Sequence, residues 1–111
     1  MAANGSFQCE VEKMPDDAKG NKVTMVKCHG RLVTEYAGNV KEKVAPLIPL
    51  GGRIVVDLSD VNYLDSAGLG ALISLKASAI RQGLCVLEFV NMTPRIMELL
   101  RITNLTNMFA S

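Results

Sequence analysis

Residues 54–70, with the sequence IVVDLSDVNYLDSAGLG, decide the fold of this chain because a buried strand and a helix start meet within them. The run 54–58 is almost continuously apolar and β-branched, which is typical of a strand covered on both faces in a parallel sheet. We expect 59–62 to form a loop and 63–64 a short apolar step. The turn at 65–70 then opens a helix, and it brings a hydroxyl, a carboxylate and two glycines together at the helix N-terminus.

The chain before this stretch contains two strands and one helix. Residues 7–11 and 23–28 alternate apolar and polar side chains, which predicts a pair of half-buried strands joined by an exposed hairpin loop at 15–22. A helix is predicted to start at Thr34 as its N-cap, with an apolar stripe at three- and four-residue spacing. Two prolines follow Ala45, so this helix should end or kink there.

The chain after the stretch contains a further strand and helix. The helix that follows Ser66 should stop at Gly83, which can adopt a left-handed conformation. Residues 84–90 form an apolar strand, and Thr93-Pro94 is a typical helix start, with the proline at the first helical position. Asn104 is predicted to end that helix before a short terminal helix containing Met108 and Phe109.

The order of these elements predicts one α/β domain over residues 1–111, with residues 1–6 flexible. Strands that alternate with helices form a mostly parallel sheet with right-handed crossovers, and the first hairpin adds one antiparallel strand. We therefore expect a mixed sheet of four to five strands with an antiparallel N-terminal strand and about four helices.

The composition excludes several classes of function. Twelve basic and eleven acidic side chains give a net charge of +1, which offers no electrostatic attraction for nucleic acid or an anionic membrane. The start of the chain lacks the pattern of a signal peptide, and no apolar stretch is long enough to insert into a membrane. We expect a cytoplasmic protein.

The cysteines and the histidine do not indicate a cofactor or a metal site. Cys9, Cys28 and Cys85 are odd in number and far apart, which favours free thiols in a reducing compartment over a disulfide framework. The single His29 has no set of partners at zinc-binding spacing.

Ser66 is the candidate functional residue, and two interpretations of its position compete. Its hydroxyl either carries the function of the protein or has only a structural role at the start of the helix. The common one is that either Asp65 or Ser66 is simply the N-cap of the helix. Catalysis is disfavoured because a nucleophilic serine needs a positioned base, and His29 belongs to another strand. Leu64 occupies the place where a nucleophile elbow has glycine, and the phosphate-binding lysine of a P-loop is absent. We therefore do not expect the protein to be an enzyme.

Simpler roles are expected for the other polar and sulfur-containing side chains. Asp57 and Asp60 are predicted to cap turns by accepting backbone hydrogen bonds, and Lys76 is assigned to the solvated face of its helix. Met97 is assigned to the inner face of the last helix as a core residue. Tyr63 is expected to be partly exposed beside Ser66, where an aromatic ring would make a good interface anchor.

The stretch 54–70 resembles the signature of the STAS domain, in its anti-sigma factor antagonist branch. The segments 30–32 and 91–95 and the terminal Leu105, Met108 and Phe109 fit the same family, so that the similarity extends over about residues 23–109. Where many members have an aspartate after the segment 30–32, this chain has Val33.

The resemblance implies a switch. In this family, the serine at the position of Ser66 is phosphorylated by a partner serine kinase that is also an anti-sigma factor. The unphosphorylated protein binds that partner and frees a sigma factor, phosphorylation turns the binding off, and a serine phosphatase resets it. The implied partner-binding residues are Arg31, Asp60, Tyr63, Asp65, Ser66, Ala67, Gly68 and Leu69.

A second function belongs to a different class. The chain would then be a constitutive STAS scaffold, or an accessory subunit of a transporter or signalling assembly, and Ser66 would be only a helix N-cap.

Overall fold

The computed structural model describes residues 7–105 of the chain. Its strands and helices are β1 (Phe7–Met14), β2 (Val23–Leu32), β3 (Gly52–Leu64), β4 (Cys85–Val90), α1 (Ala37–Val44), α2 (Ser66–Gln82) and α3 (Pro94–Ile102). Two short 3₁₀ segments, Thr34–Tyr36 and Ala45–Leu50, flank α1. The flexible N-terminus and the short terminal helix that the sequence predicts lie outside the described residues.

The four strands form one mixed sheet in the order β1-β2-β3-β4. β1 runs antiparallel to β2, with Phe7 opposite Gly30 and Met14 opposite Val23. β2 with β3 and β3 with β4 are parallel pairs, and each is connected through a helix. The predicted fold class is thereby confirmed, with three α-helices among residues 7–105.

The core is formed by the apolar faces of the sheet and of the three helices. Val56 at the centre of β3 is completely buried, as are Val40 of α1 and Leu72 of α2, while Ile96 of α3 is 1% exposed. Burying one such side chain contributes about 1.5–3 kcal/mol. Within residues 7–105, none of the helices combines the length and the apolarity that a membrane crossing requires.

The prediction of a loop at 59–62 is wrong, because β3 continues to Leu64. β2 also continues beyond the predicted strand, and after an irregularity between Lys27 and His29 it pairs again with β3 as far as Leu64. Val61 and Leu64 are buried on this extension, which gives it a hydrophobic reason to stay in the sheet. Ser66 therefore lies directly beyond the end of β3 instead of across a loop.

The predicted break near Ala45 is confirmed, whereas the predicted start at Thr34 is not. α1 gives way to a 3₁₀ segment at Ala45, with Pro49 inside that segment. Thr34 begins a 3₁₀ turn instead of capping an α-helix, and α1 starts only at Ala37. The Thr34 hydroxyl donates a hydrogen bond to the Asp65 carboxylate instead.

The other helix signals are confirmed in part. Gly83 ends α2 with φ +67°, the Thr93 hydroxyl accepts a hydrogen bond from the backbone N–H of Ile96, and Asn104 has φ +60°. Two assignments of helix faces are wrong. Lys76 is only 4% exposed and its Nζ donates to the Leu87 carbonyl oxygen at 2.6 Å, while Met97 is 56% exposed.

Candidate functional site

The candidate site lies at the carboxyl edge of the sheet, where β2 and β3 end and α2 begins. The Asp65 backbone N–H donates to the carbonyl oxygen of Leu32, the last residue of β2, at 3.3 Å. Loops beyond the carboxyl ends of parallel strands are the usual place for functional groups in α/β folds.

The Asp65 carboxylate caps α2 and also binds the segment after β2. Its Oδ1 accepts a hydrogen bond from the backbone N–H of Gly68 at 2.8 Å. Its Oδ2 accepts two more, from the backbone N–H and the hydroxyl of Thr34, both at 2.9 Å. These donors, Gly68 N–H foremost, hold the pKa of the Asp65 carboxyl below its ordinary value. The N-cap of α2 is therefore Asp65, and one carboxylate ties together two turns that are distant in sequence.

Ser66 is left without a capping role. It is the first residue of α2 and is exposed. Among residues 7–105, none of the hydrogen bonds uses the Ser66 hydroxyl as donor or acceptor. The unpaired N–H groups and positive dipole end of α2 surround this position, so negative charge on Ser66 is electrostatically favourable.

The two glycines of the turn have different roles. A Cβ atom at Gly68 would lie 2.1 Å from the Leu32 carbonyl oxygen, whereas a Cβ at Gly70 would meet nothing within 4 Å. Only Gly70 leaves open space near Ser66. Gly68 and Leu69, two of the predicted partner-binding residues, are both buried and expose almost no surface. Ala67 is half-buried between them and Ser66.

Tyr63 lies three residues before Ser66 and is 37% exposed. The Arg31 guanidinium carbon is 5.1 Å from the centre of its ring, and that of Arg95 is 5.3 Å from it, both within cation–π range. Both arginines are exposed, and no ion pair within residues 7–105 neutralises either of them. An aromatic ring and two unneutralised guanidinium groups thus form one surface cluster.

Sequence reasoning missed the place of Arg95 in this cluster. A usable signal was the order of elements: β3 and β4 are parallel, so the start of α3, just after β4, returns to the edge where β3 ends. A cation in the first turn of α3 was therefore predictable as a neighbour of Tyr63.

The predicted cap role of Asp57 is confirmed, because its Oδ1 accepts the backbone N–H of Ser59 at 2.9 Å. Asp60 behaves differently from its prediction. Its Oδ2 lies 2.7 Å from His29 Nδ1, and His29 Nε2 lies 2.8 Å from Glu10 Oε1. The Asp60 carboxylate, the main cause, raises the pKa of His29, together with Glu10. His29 therefore joins β1, β2 and β3 on the sheet surface.

Replacing Asp65 by alanine is expected to lower the thermal unfolding midpoint at neutral pH by several degrees. Because the folded-state pKa is depressed, the stabilisation is present above the unfolded value of about 3.9 and disappears as pH falls through the folded value. The deficit of Asp65→Ala should thus shrink in acid. Thermal melts between about pH 7 and pH 2 test this. Asp16→Ala, in the exposed 15–22 loop, serves as control and should show no such convergence.

Comparisons with known proteins show which family this chain resembles. The family model "Mlab, STAS domain" matches residues 16–110. The anti-sigma-B factor antagonist of Bacillus subtilis (strain 168) is 32% identical over 90 residues, which cover 80% of this chain and 82% of that protein.

Two solved structures share the fold. One is an anti-sigma factor antagonist from Mycobacterium paratuberculosis, with a TM-score of 0.73 at 23% identity, covering 98% of this chain and 87% of that chain. The other is the Bacillus cell fate determinant SpoIIAA in its phosphorylated form, with a TM-score of 0.64 at 16% identity, covering 92% and 86%. The chain belongs to the STAS domain family and is a homologue of the anti-sigma factor antagonists.

Proposed function

We propose that this chain is an anti-sigma factor antagonist that works as a phosphorylation-controlled binding switch in the cytoplasm. Unphosphorylated, it binds an anti-sigma factor that is also a serine kinase and thereby releases a sigma factor. Phosphorylation of Ser66 by that kinase ends the binding, and a serine phosphatase restores it. The observation that carries the proposal is the division of roles at the start of α2, where Asp65 caps the helix and the exposed Ser66 hydroxyl is free.

Phosphorylation at this position is compatible with the fold. A phosphoserine adds about −1.5 to −2 charges and three strong hydrogen-bond acceptors. The N-terminus of α2 favours such a charge, and no existing cap hydrogen bond has to break. The modification therefore changes the surface and leaves the core intact.

The surface around Ser66 supports a loss of binding on phosphorylation. Tyr63 supplies an exposed aromatic ring, and Arg31 and Arg95 supply unneutralised positive charge. This combination favours a partner segment that carries carboxylates and packs an apolar group on the ring. A phosphate on Ser66 would repel those carboxylates and would have to be desolvated in the interface.

The chain itself contributes no catalytic group in this proposal. The kinase has to supply the base that activates the Ser66 hydroxyl, because His29 is held between Asp60 and Glu10 on the sheet surface.

Replacing Tyr63 by alanine is expected to weaken partner binding by about tenfold to a hundredfold. The substitution removes an aromatic anchor, and it also removes the ring that two guanidinium groups contact. Leu50→Ala is the matched control, since this exposed apolar side chain precedes β3 at the opposite edge of the sheet. Titration calorimetry with the partner measures both variants. Equal losses for the two would contradict an interface centred on Tyr63.

A capture experiment distinguishes the switch from the constitutive scaffold or accessory subunit. Wild type, Ser66→Asp and Ser66→Ala are used as baits in an extract of the native host, and the captured proteins are identified by mass spectrometry. The switch predicts a kinase-like ATPase with wild type and Ser66→Ala that is absent with Ser66→Asp. Equal capture of a transporter subunit or scaffold protein by all three baits would overturn it.

A further inference from the structure

Two cysteines face each other across the first pair of strands. Cys9 of β1 is the direct partner of Cys28 of β2 in the antiparallel register, and their Sγ atoms are 3.6 Å apart. Cys28 is 1% exposed, whereas Cys9 is only partly buried. Cys85 lies on β4, at the opposite side of the sheet order. The fold thus gathers two of the three thiols, although the sequence shows no cysteine motif.

The strand that carries Cys9 lies at the edge of the sheet. β1 is at the end of the sheet and pairs only with β2, so its movement disturbs one ladder. The Sγ atoms have to approach from 3.6 Å to about 2.05 Å for a covalent bond, which requires side-chain rotation and a small shift of the edge strand.

We propose that Cys9 and Cys28 are an oxidative modification site, at which a peroxide converts the two thiols into an intramolecular disulfide. The proposal is independent of the function of Ser66.

The two sulfurs have different chemical roles. The hydrogen bond between the two thiols is the main cause that lowers the pKa of the Cys9 thiol, and Lys43 adds a smaller contribution. The same hydrogen bond and burial raise the pKa of Cys28. Cys9 is therefore the more nucleophilic and more accessible sulfur, and Cys28 is placed to resolve it.

The reaction balances with the peroxide as the only oxidant. The Cys9 thiolate attacks one peroxide oxygen, the O–O bond breaks, and Cys9 becomes a sulfenic acid while the leaving hydroxide takes up the proton that the Cys9 thiol released, which forms the first water. The Cys28 sulfur then attacks the Cys9 sulfur, its proton neutralises the departing hydroxide, and water is released. Two thiols and one hydrogen peroxide yield one disulfide and two water molecules.

The bond would lock the edge of the sheet. It joins residues 19 positions apart and closes a loop that contains the whole connection between β1 and β2. Closing a loop of this size restricts the unfolded chain, so the oxidised protein should melt roughly 5–15 °C above the reduced one.

The test uses the full chain, fully reduced and then exposed to limiting hydrogen peroxide. Free thiols are counted after unfolding, and peptide mass mapping locates the cross-link. We expect two of the three thiols to disappear and a single bridge between Cys9 and Cys28. Cys85→Ala should behave as wild type, whereas Cys9→Ala and Cys28→Ala should form no intramolecular bridge.

A second arm tests the role of the fold without any cysteine variant, so that a folding defect in a variant cannot affect the result. Wild type oxidised in denaturant should give a mixture of pairings that includes Cys85, because the fold no longer selects partners. The proposal is overturned if the native chain keeps three thiols, if Cys85 takes part in its bridge, or if Cys9 is overoxidised without a cross-link. It is likewise overturned if the native and denatured chains give the same mixture.

Discussion

Replacing Gly68 by alanine is expected to destabilise the fold by about 3 kcal/mol or more, one of the largest effects available to a single methyl group in this chain. The new Cβ would lie 2.1 Å from the Leu32 carbonyl oxygen and 2.9 Å from its carbonyl carbon. These are backbone atoms at the end of β2, so they cannot rotate away as a flexible side chain would.

The consequences extend beyond one contact. α2 would have to move away from the end of β2, and the hydrogen bond from Gly68 N–H to Asp65 Oδ1 would stretch from 2.8 Å. Asp65 also holds Thr34, so the segment between β2 and α1 would lose its anchor as well. The candidate site and the core are therefore damaged together.

Gly70→Ala is the matched control two residues away. A Cβ at Gly70 meets nothing within 4 Å, and alanine is the better helix former by about 0.5–1 kcal/mol. Denaturant unfolding of the two variants should give changes of opposite sign. A Gly68→Ala variant as stable as wild type would contradict the close approach of α2 to β2.

Replacing Ser66 by aspartate is expected to weaken binding of the anti-sigma factor by about a hundredfold or more, equivalent to roughly 3 kcal/mol. The aspartate places a negative charge on the exposed first residue of α2, beside the half-buried Asp65. An acidic partner segment drawn to Arg31 and Arg95 would meet that charge. The melting midpoint should barely change, because negative charge in the first turn suits the helix dipole.

Two controls separate this effect from a general response to charge. Ser66→Ala removes the hydroxyl and adds no charge, so it should bind as wild type does. Gln82→Glu adds one negative charge at the opposite end of α2 and should also bind normally. Calorimetric titration of the three variants with the same partner measures these affinities. Retained binding by Ser66→Asp, or equal weakening by Gln82→Glu, would contradict the proposed block.

The sheet was predictable from the sequence because local signals and tertiary packing agree there. The apolar run at 54–58 becomes the buried centre of β3, and the break at Ala45 follows from the backbone restrictions of the prolines. Gly83 and Thr93-Pro94 mark helix ends through local geometry alone. Such features need no knowledge of distant neighbours.

The errors occur where a distant neighbour decides. Residues 59–62 look like a loop, yet the extension of β2 provides a ladder that keeps them in β3. Lys76 looks solvated, but the Leu87 carbonyl oxygen of β4 receives its ammonium group. Met97 has the residue type of a core side chain, while Ile96 and Leu100 take the buried face of α3.

The candidate site, like the fold, was only partly predictable from local sequence. Sequence reasoning identified the Asp65-Ser66 turn but left open which residue caps the helix. The answer depends on Thr34, thirty-one residues earlier, whose N–H and hydroxyl complete the hydrogen bonds of Asp65. The closeness of Gly68 to Leu32 and the Arg95 contact with Tyr63 likewise arise only when the chain is folded.

The most direct test of the switch compares the chain before and after stoichiometric phosphorylation of Ser66. Affinity for the captured kinase-like partner is measured by calorimetry, and thermal melts are recorded on the same samples. We predict an affinity loss of at least about a hundredfold with a melting midpoint that moves by less than about 2 °C. Unchanged affinity, or a loss accompanied by a collapse of the melting midpoint, would contradict a switch that acts at the surface.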